Sequence, residues 1–154
     1  MIEPGSRAPD FTLPDQEGEE VSLADFAGRR LMIAFYPGDF SAVCTEQLSL
    51  YQEVLEEIEA AGAAVVGISV DSSDSHRAFA EQLGVTFQLL SDFHPKGEVA
   101  RAYGTYSEEY GKSGRGLVLV DTGGIVRSAS ESPPLEVPGA NLIFDALASI
   151  DRDP

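Results

Sequence analysis

A single cysteine, Cys44, closes the segment Phe35-Tyr36-Pro37-Gly38-Asp39-Phe40-Ser41-Ala42-Val43-Cys44, where an apolar run passes into a helical pattern. The thiolate, not the thiol, is the nucleophile, and a helix N-terminus stabilises its charge. Pro37 removes a backbone donor, stiffens the chain and can keep water from the sulfur. Ser41 precedes Cys44 by three residues, close to one helical turn, which lets its hydroxyl lie beside the sulfur. The amides of Val43 and Cys44 fall in the first turn without intrahelical partners, so both are expected to be open to an anion or a developing oxyanion. A lone cysteine at such a junction is, by itself, more often an inert small hydrophobe. Pro37, Ser41 and these amides shift the balance toward a nucleophile. With no second cysteine, neither an internal disulfide nor a cysteine-based metal cluster can form. Any reaction at Cys44 must finish with outside help.

The elements that must position this residue can be read from periodicity. Residues 31–36 form a continuous apolar run, the pattern of a central strand buried on both faces, and Pro37 ends it. After Cys44, apolar side chains at Leu48, Tyr51, Val54, Leu55 and Ile58 recur at helical spacing, with Gln52, Glu53, Glu56, Glu57 and Glu59 on the wet side. Gly62 stops this helix, and residues 63–70 read as a second buried strand. Strand, helix and strand make a βαβ unit with parallel strands and a right-handed crossover. Upstream, residues 9–14 and 21–23 flank the polar turn 15–18, which suggests an N-terminal β-hairpin.

Downstream, Ser73 or Asp74 caps a helix with Ala78, Phe79 and Leu83 facing inward. A short strand over 87–90 and a short helix over 98–103 follow, the latter ended by Gly104. Residues 116–121 and 125–128 around Thr122-Gly123-Gly124 read as a tight hairpin, and a final helix covers 141–150. This order is that of a thioredoxin-like α/β fold with an N-terminal β-hairpin extension, as one domain over 1–154. A doubly wound α/β fold is the alternative, and the C-terminal hairpin speaks against its parallel sheet.

The charge balance is strongly acidic: 26 acidic against 10 basic residues, net −16, with Lys96 and Lys112 the only lysines. A field of that sign repels nucleic acid and anionic membranes, and no nucleic-acid or membrane partner is expected. It suits either solubility or a high-salt milieu. No apolar run reaches the roughly 20 residues that span a bilayer, and residues 1–7 lack the basic start and apolar stretch of a signal peptide. An unpaired cysteine fits a reducing compartment, so a cytoplasmic location is expected.

The spacing of Pro37, Ser41 and Cys44 resembles the Pro-x-x-x-Thr/Ser-x-x-Cys signature of the peroxiredoxins. The flanks are similar too: Ala8-Pro9-Asp10-Phe11-Thr12-Leu13, Phe35-Tyr36-Pro37 and Leu89-Leu90-Ser91-Asp92. Arg115-Gly116-Leu117-Val118-Leu119-Val120-Asp121 looks like the segment that carries the family's active-site arginine. Together they cover about 4–150, and the lone cysteine points to the one-cysteine type, similar to the alkyl hydroperoxide reductase E (AhpE) and bacterioferritin-comigratory-protein branches. Ser49 stands where many members of the latter branch carry a resolving cysteine. Gln47 departs from the glutamate usual three residues after the cysteine.

The resemblance implies a thiol-dependent peroxidase acting on hydrogen peroxide and organic hydroperoxides, with Cys44, Arg115, Ser41 and Pro37 as its catalytic residues. Helix-terminal amides and the Arg115 guanidinium favour thiolate over thiol. Arg115 and the Ser41 hydroxyl are suited to align the two oxygens as their bond stretches. The product is a Cys44 sulfenic acid, which an external thiol must resolve. Thioredoxin, glutaredoxin or a low-molecular-weight thiol is the implied reductant, no cofactor is needed, and a homodimer is implied.

The remaining candidates carry less. A thioredoxin-like disulfide oxidoreductase is disfavoured because Cys-x-x-Cys is absent and because Arg115 stands where thioredoxins place a cis-proline. A redox-sensing or chaperone-like module using Cys44 sulfenylation remains a reading from another class. His76 and His94 are expected at the surface, with no metal site. Arg101 and Arg127 read as structural, Tyr36 as packing beside the site. Lys112-Ser113 lacks the leading strand and glycine of a phosphate loop.

Overall fold

The computed structural model describes residues 1–151. In chain order the elements are β1 (Thr12–Pro14), β2 (Glu20–Ser22), a 3-10 turn (Leu23–Phe26), β3 (Arg30–Phe35), α1 (Ala42–Glu53), α2 (Leu55–Ala60), β4 (Ala63–Ser69), α3 (Ser73–Leu83), β5 (Gln88–Ser91), α4 (Glu98–Ala102), β6 (Tyr106–Ser107), β7 (Lys112–Ser113), β8 (Arg115–Val120), β9 (Val126–Ser132) and α5 (Ala140–Asp151). The central sheet runs β5-β4-β3-β8-β9. Its β3, β4 and β5 are parallel neighbours, whereas β8 lies antiparallel to both β3 and β9. β1 and β2 form the N-terminal hairpin. This is the mixed sheet of a thioredoxin-like fold, and the parallel βαβ unit sits where the apolar pattern puts it.

Alternation along β3 divides the core between the two faces of the sheet. Met32 and Ala34 pack in one cluster with Leu48 and Tyr51 of α1, Ile58 of α2, Phe79 of α3, and Ile143 and Leu147 of α5. Leu31, Ile33 and Phe35 pack in the other with Phe11, Leu13 and Val21 of the hairpin region, with Val99 of α4 and with Tyr103 at its C-terminal cap. Strands buried on both faces must be apolar at every position, which is why β3 and β8 read as unbroken runs.

Several boundaries differ from the sequence reading. The helix expected to run through 48–58 is divided at Val54, which leaves helical geometry at φ −109° and ψ 15°. Leu48, Tyr51 and Ile58 nevertheless share one cluster, so the apolar spacing survives the break that interrupts the backbone. The α3 cap is Ser72, whose Oγ accepts from the Ser75 N–H at 3.2 Å. Ala78 points outward, and His76, Phe79 and Ala80 are the buried residues of that helix. Residues 106–113 contain the small β6–β7 hairpin, a segment in which the sequence pattern marks no element. Among the described residues no helix is long and apolar enough to cross a membrane.

Gly67 in β4 faces Ala34 on one side and Leu89 on the other. A Cβ there would lie 2.9 Å from Leu89 Cδ2 and 3.1 Å from Tyr36 Cε1, so the Tyr36 ring occupies the space glycine leaves. Gly67→Ala is expected to lose about 1–3 kcal/mol through overpacking, read from the urea midpoint. An unchanged midpoint would show that the ring moves aside at no cost.

Candidate active site

The chain leaves β3 at Phe35 and enters α1 at Ala42, with Ser41 as the capping residue in extended geometry at φ −74° and ψ 148°. Ser41 Oγ accepts a hydrogen bond from the Cys44 N–H at 3.1 Å. This corrects one expectation: the Cys44 amide is engaged by the cap and is not open to an incoming anion. The serine hydroxyl keeps its own proton as a donor. Cys44 is fully buried.

Cys44, Gln47 and Tyr51 follow one another at helical spacing, and all three are buried. Arg115, the first residue of β8, is only 3% exposed. Its Nη1 donates to Cys44 Sγ at 3.2 Å and to Gln47 Oε1 at 2.9 Å, while its Nε donates to the Pro134 carbonyl at 2.7 Å. Gln47 Nε2 donates to the Tyr51 hydroxyl at 3.3 Å, and Tyr51 donates onward to the Pro138 carbonyl at 2.8 Å. Arg115 pairs with no carboxylate among the described residues. A permanently charged guanidinium is therefore buried against two neutral acceptors and one ionisable sulfur.

The structure thus brings Cys44 and Arg115 into direct contact and joins Ser41 to Cys44 through the backbone. Pro37 is half-buried in the connection from β3 and, lacking an N–H, makes no backbone donation there. Gln47, the departure from the family pattern, still supplies an acceptor to Arg115, and its amide adds a donor that a carboxylate lacks.

A second polar cluster was not legible beforehand. His76, expected at the surface, is fully buried; His94 is exposed as expected. His76 Nδ1 lies 2.8 Å from Asp39 Oδ2, and Nε2 donates to the Leu90 carbonyl at 3.0 Å. Asp39 Oδ1 accepts from the Tyr36 hydroxyl at 2.7 Å, and the Asp39 N–H donates to Asp71 Oδ2 at 2.8 Å. Burial and the Asp39 charge both push the Tyr36 phenol well above its ordinary value. Potential ligand atoms of Asp39, Asp71 and His76 lie within 4.8 Å of one another, and the hydrogen bonds just described already join these groups. The signal was present in the sequence: His76, Phe79 and Leu83 share the helical spacing of a single inward face.

Burial pushes the Tyr51 phenol from 10 up to about 12, while the Gln47 amide and the Arg115 charge act the other way. A raised folded-state value stabilises the fold below the unfolded value, and that contribution is lost as pH climbs through the folded one. Between pH 10 and about 12 the wild type should lose a stability increment that Tyr51→Phe lacks. Parallel urea unfolding across that window tests this, and identical pH slopes would remove Tyr51 from the linkage.

The AhpC/TSA family model matches residues 4–129. Alkyl hydroperoxide reductase E of Mycobacterium tuberculosis is 40% identical over 151 residues, covering 97% of this chain and 99% of that protein. The crystal structure of Enterococcus faecalis AhpC is similar with a TM-score of 0.91 at 27% identity, over 99% of this chain and 94% of that one. Peroxidoxin BcpB from Mycobacterium tuberculosis is similar at a TM-score of 0.87 and 26% identity, over 100% and 99% of the two chains. Matched by the family model over residues 4–129 and 40% identical to a relative along nearly all of its length, the chain belongs to the AhpC/TSA family of peroxiredoxins.

Proposed function

We propose that this chain is a one-cysteine, thiol-dependent peroxidase that reduces hydrogen peroxide and organic hydroperoxides through a sulfenic acid on Cys44. The observation that carries the reading is the buried Arg115 guanidinium, 3.2 Å from Cys44 Sγ and without a carboxylate partner among the described residues. An ion taken out of water needs a compensating charge, and the sulfur is the ionisable group within its reach. A thiolate there is both the counterion of Arg115 and the nucleophile.

The sulfur attacks one peroxide oxygen, an S–O bond forms, the O–O bond breaks, and the electron pair departs with the other oxygen. Cys44 is oxidised by two electrons to the sulfenic acid, and the leaving oxygen takes a proton to become water or an alcohol. Arg115 and the Ser41 hydroxyl are placed to bind the two oxygens, with Arg115 offsetting the charge that grows on the leaving one. Ser41 is exposed where Cys44 is buried. Pro37 shapes the connection that brings the chain to this point. The name of the mycobacterial relative, alkyl hydroperoxide reductase E, favours organic hydroperoxides among the substrates.

A first external thiol attacks the sulfenic sulfur, releasing water and leaving a mixed disulfide. A second displaces it as a disulfide and restores Cys44. Thioredoxin, glutaredoxin or a low-molecular-weight thiol fits this role. An unpaired cysteine suits a reducing compartment, which supports a cytoplasmic location, and the resemblance to the family supports a homodimer of single-domain chains.

Stopped-flow reaction of the reduced protein with hydrogen peroxide should consume one thiol per peroxide, far faster than free cysteine does. Cys44→Ser should abolish the reaction, and full activity in that variant would overturn the reading. Arg115→Ala should slow the step by about 10²-fold or more, the scale for losing one oxyanion-type donor. An unchanged rate would remove Arg115 from the mechanism.

A further inference from the structure

Residues 36–40 carry the chain from β3 to the cap of α1, and their conformation is set from outside the connection. Asp39 is its hub. The Asp39 carboxylate accepts from Tyr36 and from Ser75 Oγ, the latter at 2.8 Å, and it faces His76 Nδ1. The His76 and Asp39 side chains are 0% and 1% exposed. A carbonyl can only accept, so Nε2 holds a proton for Leu90, and the 2.8 Å contact of Nδ1 with Oδ2 is a hydrogen bond between the two side chains. The backbone of Asp39 is fixed as well, through its N–H to Asp71, whose carboxylate also accepts from Ser69 Oγ at 2.6 Å.

The next residue is strained. Phe40 has φ 65°, and among the described residues it is the only non-glycine with positive φ. For an aromatic residue that geometry costs about 1–3 kcal/mol and persists only where the surroundings over-determine it. Beside Tyr36 and Asp71, those surroundings come from one helix. Ser75 and His76 of α3 grip Asp39, and the Phe79 ring of the same helix lies 5.1 Å from the Phe40 ring. The residue after Phe40 is Ser41, which caps the Cys44 amide.

We propose that His76 is a positioning residue for Cys44. By holding Asp39 it keeps Phe40 in the left-handed conformation, and this fixes Ser41 and the first turn of α1 where the sulfur meets Arg115. His76 touches none of the reacting atoms, and the inference rests on the peroxidase reading above. Misplacement by about 1 Å can cost on the order of 10²-fold in rate, so a small relaxation at Phe40 is enough to be measured.

The test uses two variants that divide the functions of the ring. Asparagine carries its amide nitrogen near the place of Nδ1 and can still donate to Asp39; glutamine carries it near Nε2 and can reach only Leu90. Thiol oxidation by hydrogen peroxide is followed in stopped flow, with near-ultraviolet circular dichroism confirming the fold. His76→Gln should be slower than the wild type by about tenfold or more, and His76→Asn should recover most of that loss. A His76→Gln rate equal to wild type, or an asparagine variant as slow as the glutamine one, overturns the proposal. Should either variant fail to fold, the isosteric Asp39→Asn takes its place, and a wild-type rate there overturns the proposal equally. A wild-type protein no faster than free cysteine overturns the peroxidase reading itself, and this inference with it.

Discussion

A buried guanidinium facing a sulfur is the interaction from which the rest of this structure can be understood. Arg115 keeps its charge at any accessible pH and is almost wholly removed from water. Isolated, it would cost far more than the fold can supply, since domains are stable by only about 5–15 kcal/mol. Two neutral acceptors, the Pro134 carbonyl and Gln47 Oε1, solvate it, and Cys44 Sγ completes the shell. In the proposed reaction the sulfur is the anion, and the buried guanidinium is then its counterion.

That contact dictates the sheet topology around it. In the antiparallel pairing of β3 with β8, Ala34 stands opposite Leu117, so the first residue of β8 falls beside the point where the chain leaves β3 for α1. A parallel β8 in the same place would carry Arg115 to the opposite end of the strands, away from Cys44. The tight hairpin into β9 then adds the last antiparallel pair of the sheet. The segment after β9 then returns over the site, offering one carbonyl to Arg115 and another to Tyr51.

Most of this architecture was legible because it rests on strong local signals. The runs that became β3, β4 and β8 are apolar at nearly every position, and Gly62 and Thr122-Gly123-Gly124 punctuate them unambiguously. What was not legible depended on direction and tertiary contact. The spacing that placed Ser41 near the sulfur could not say that its oxygen would take the Cys44 amide. The break at Val54 leaves no mark on apolar periodicity. His76 was misread because a histidine among Ser73, Asp74, Ser75 and Arg77 resembles a wet surface, although its spacing to Phe79 points inward. The partner that makes its burial possible, Asp39, lies on a different element.

Gln47 shows how direction can decide a residue type. The Tyr51 hydroxyl has one proton, and it is given to the Pro138 carbonyl. Its remaining lone pairs can be met only by a donor, which Gln47 Nε2 supplies. The opposite end of the same amide is then necessarily an oxygen, the acceptor that Arg115 requires. A carboxylate would serve Arg115 but would confront the Tyr51 oxygen with a second acceptor. Tyr51 could then satisfy the carboxylate or Pro138, not both, and one buried acceptor would be left at a cost of about 1–3 kcal/mol. A carboxylate would also supply Arg115 with an anion other than the sulfur. The amide keeps the hydrogen-bond chain running in one direction and leaves the contact of Arg115 with Cys44 Sγ without a competing carboxylate.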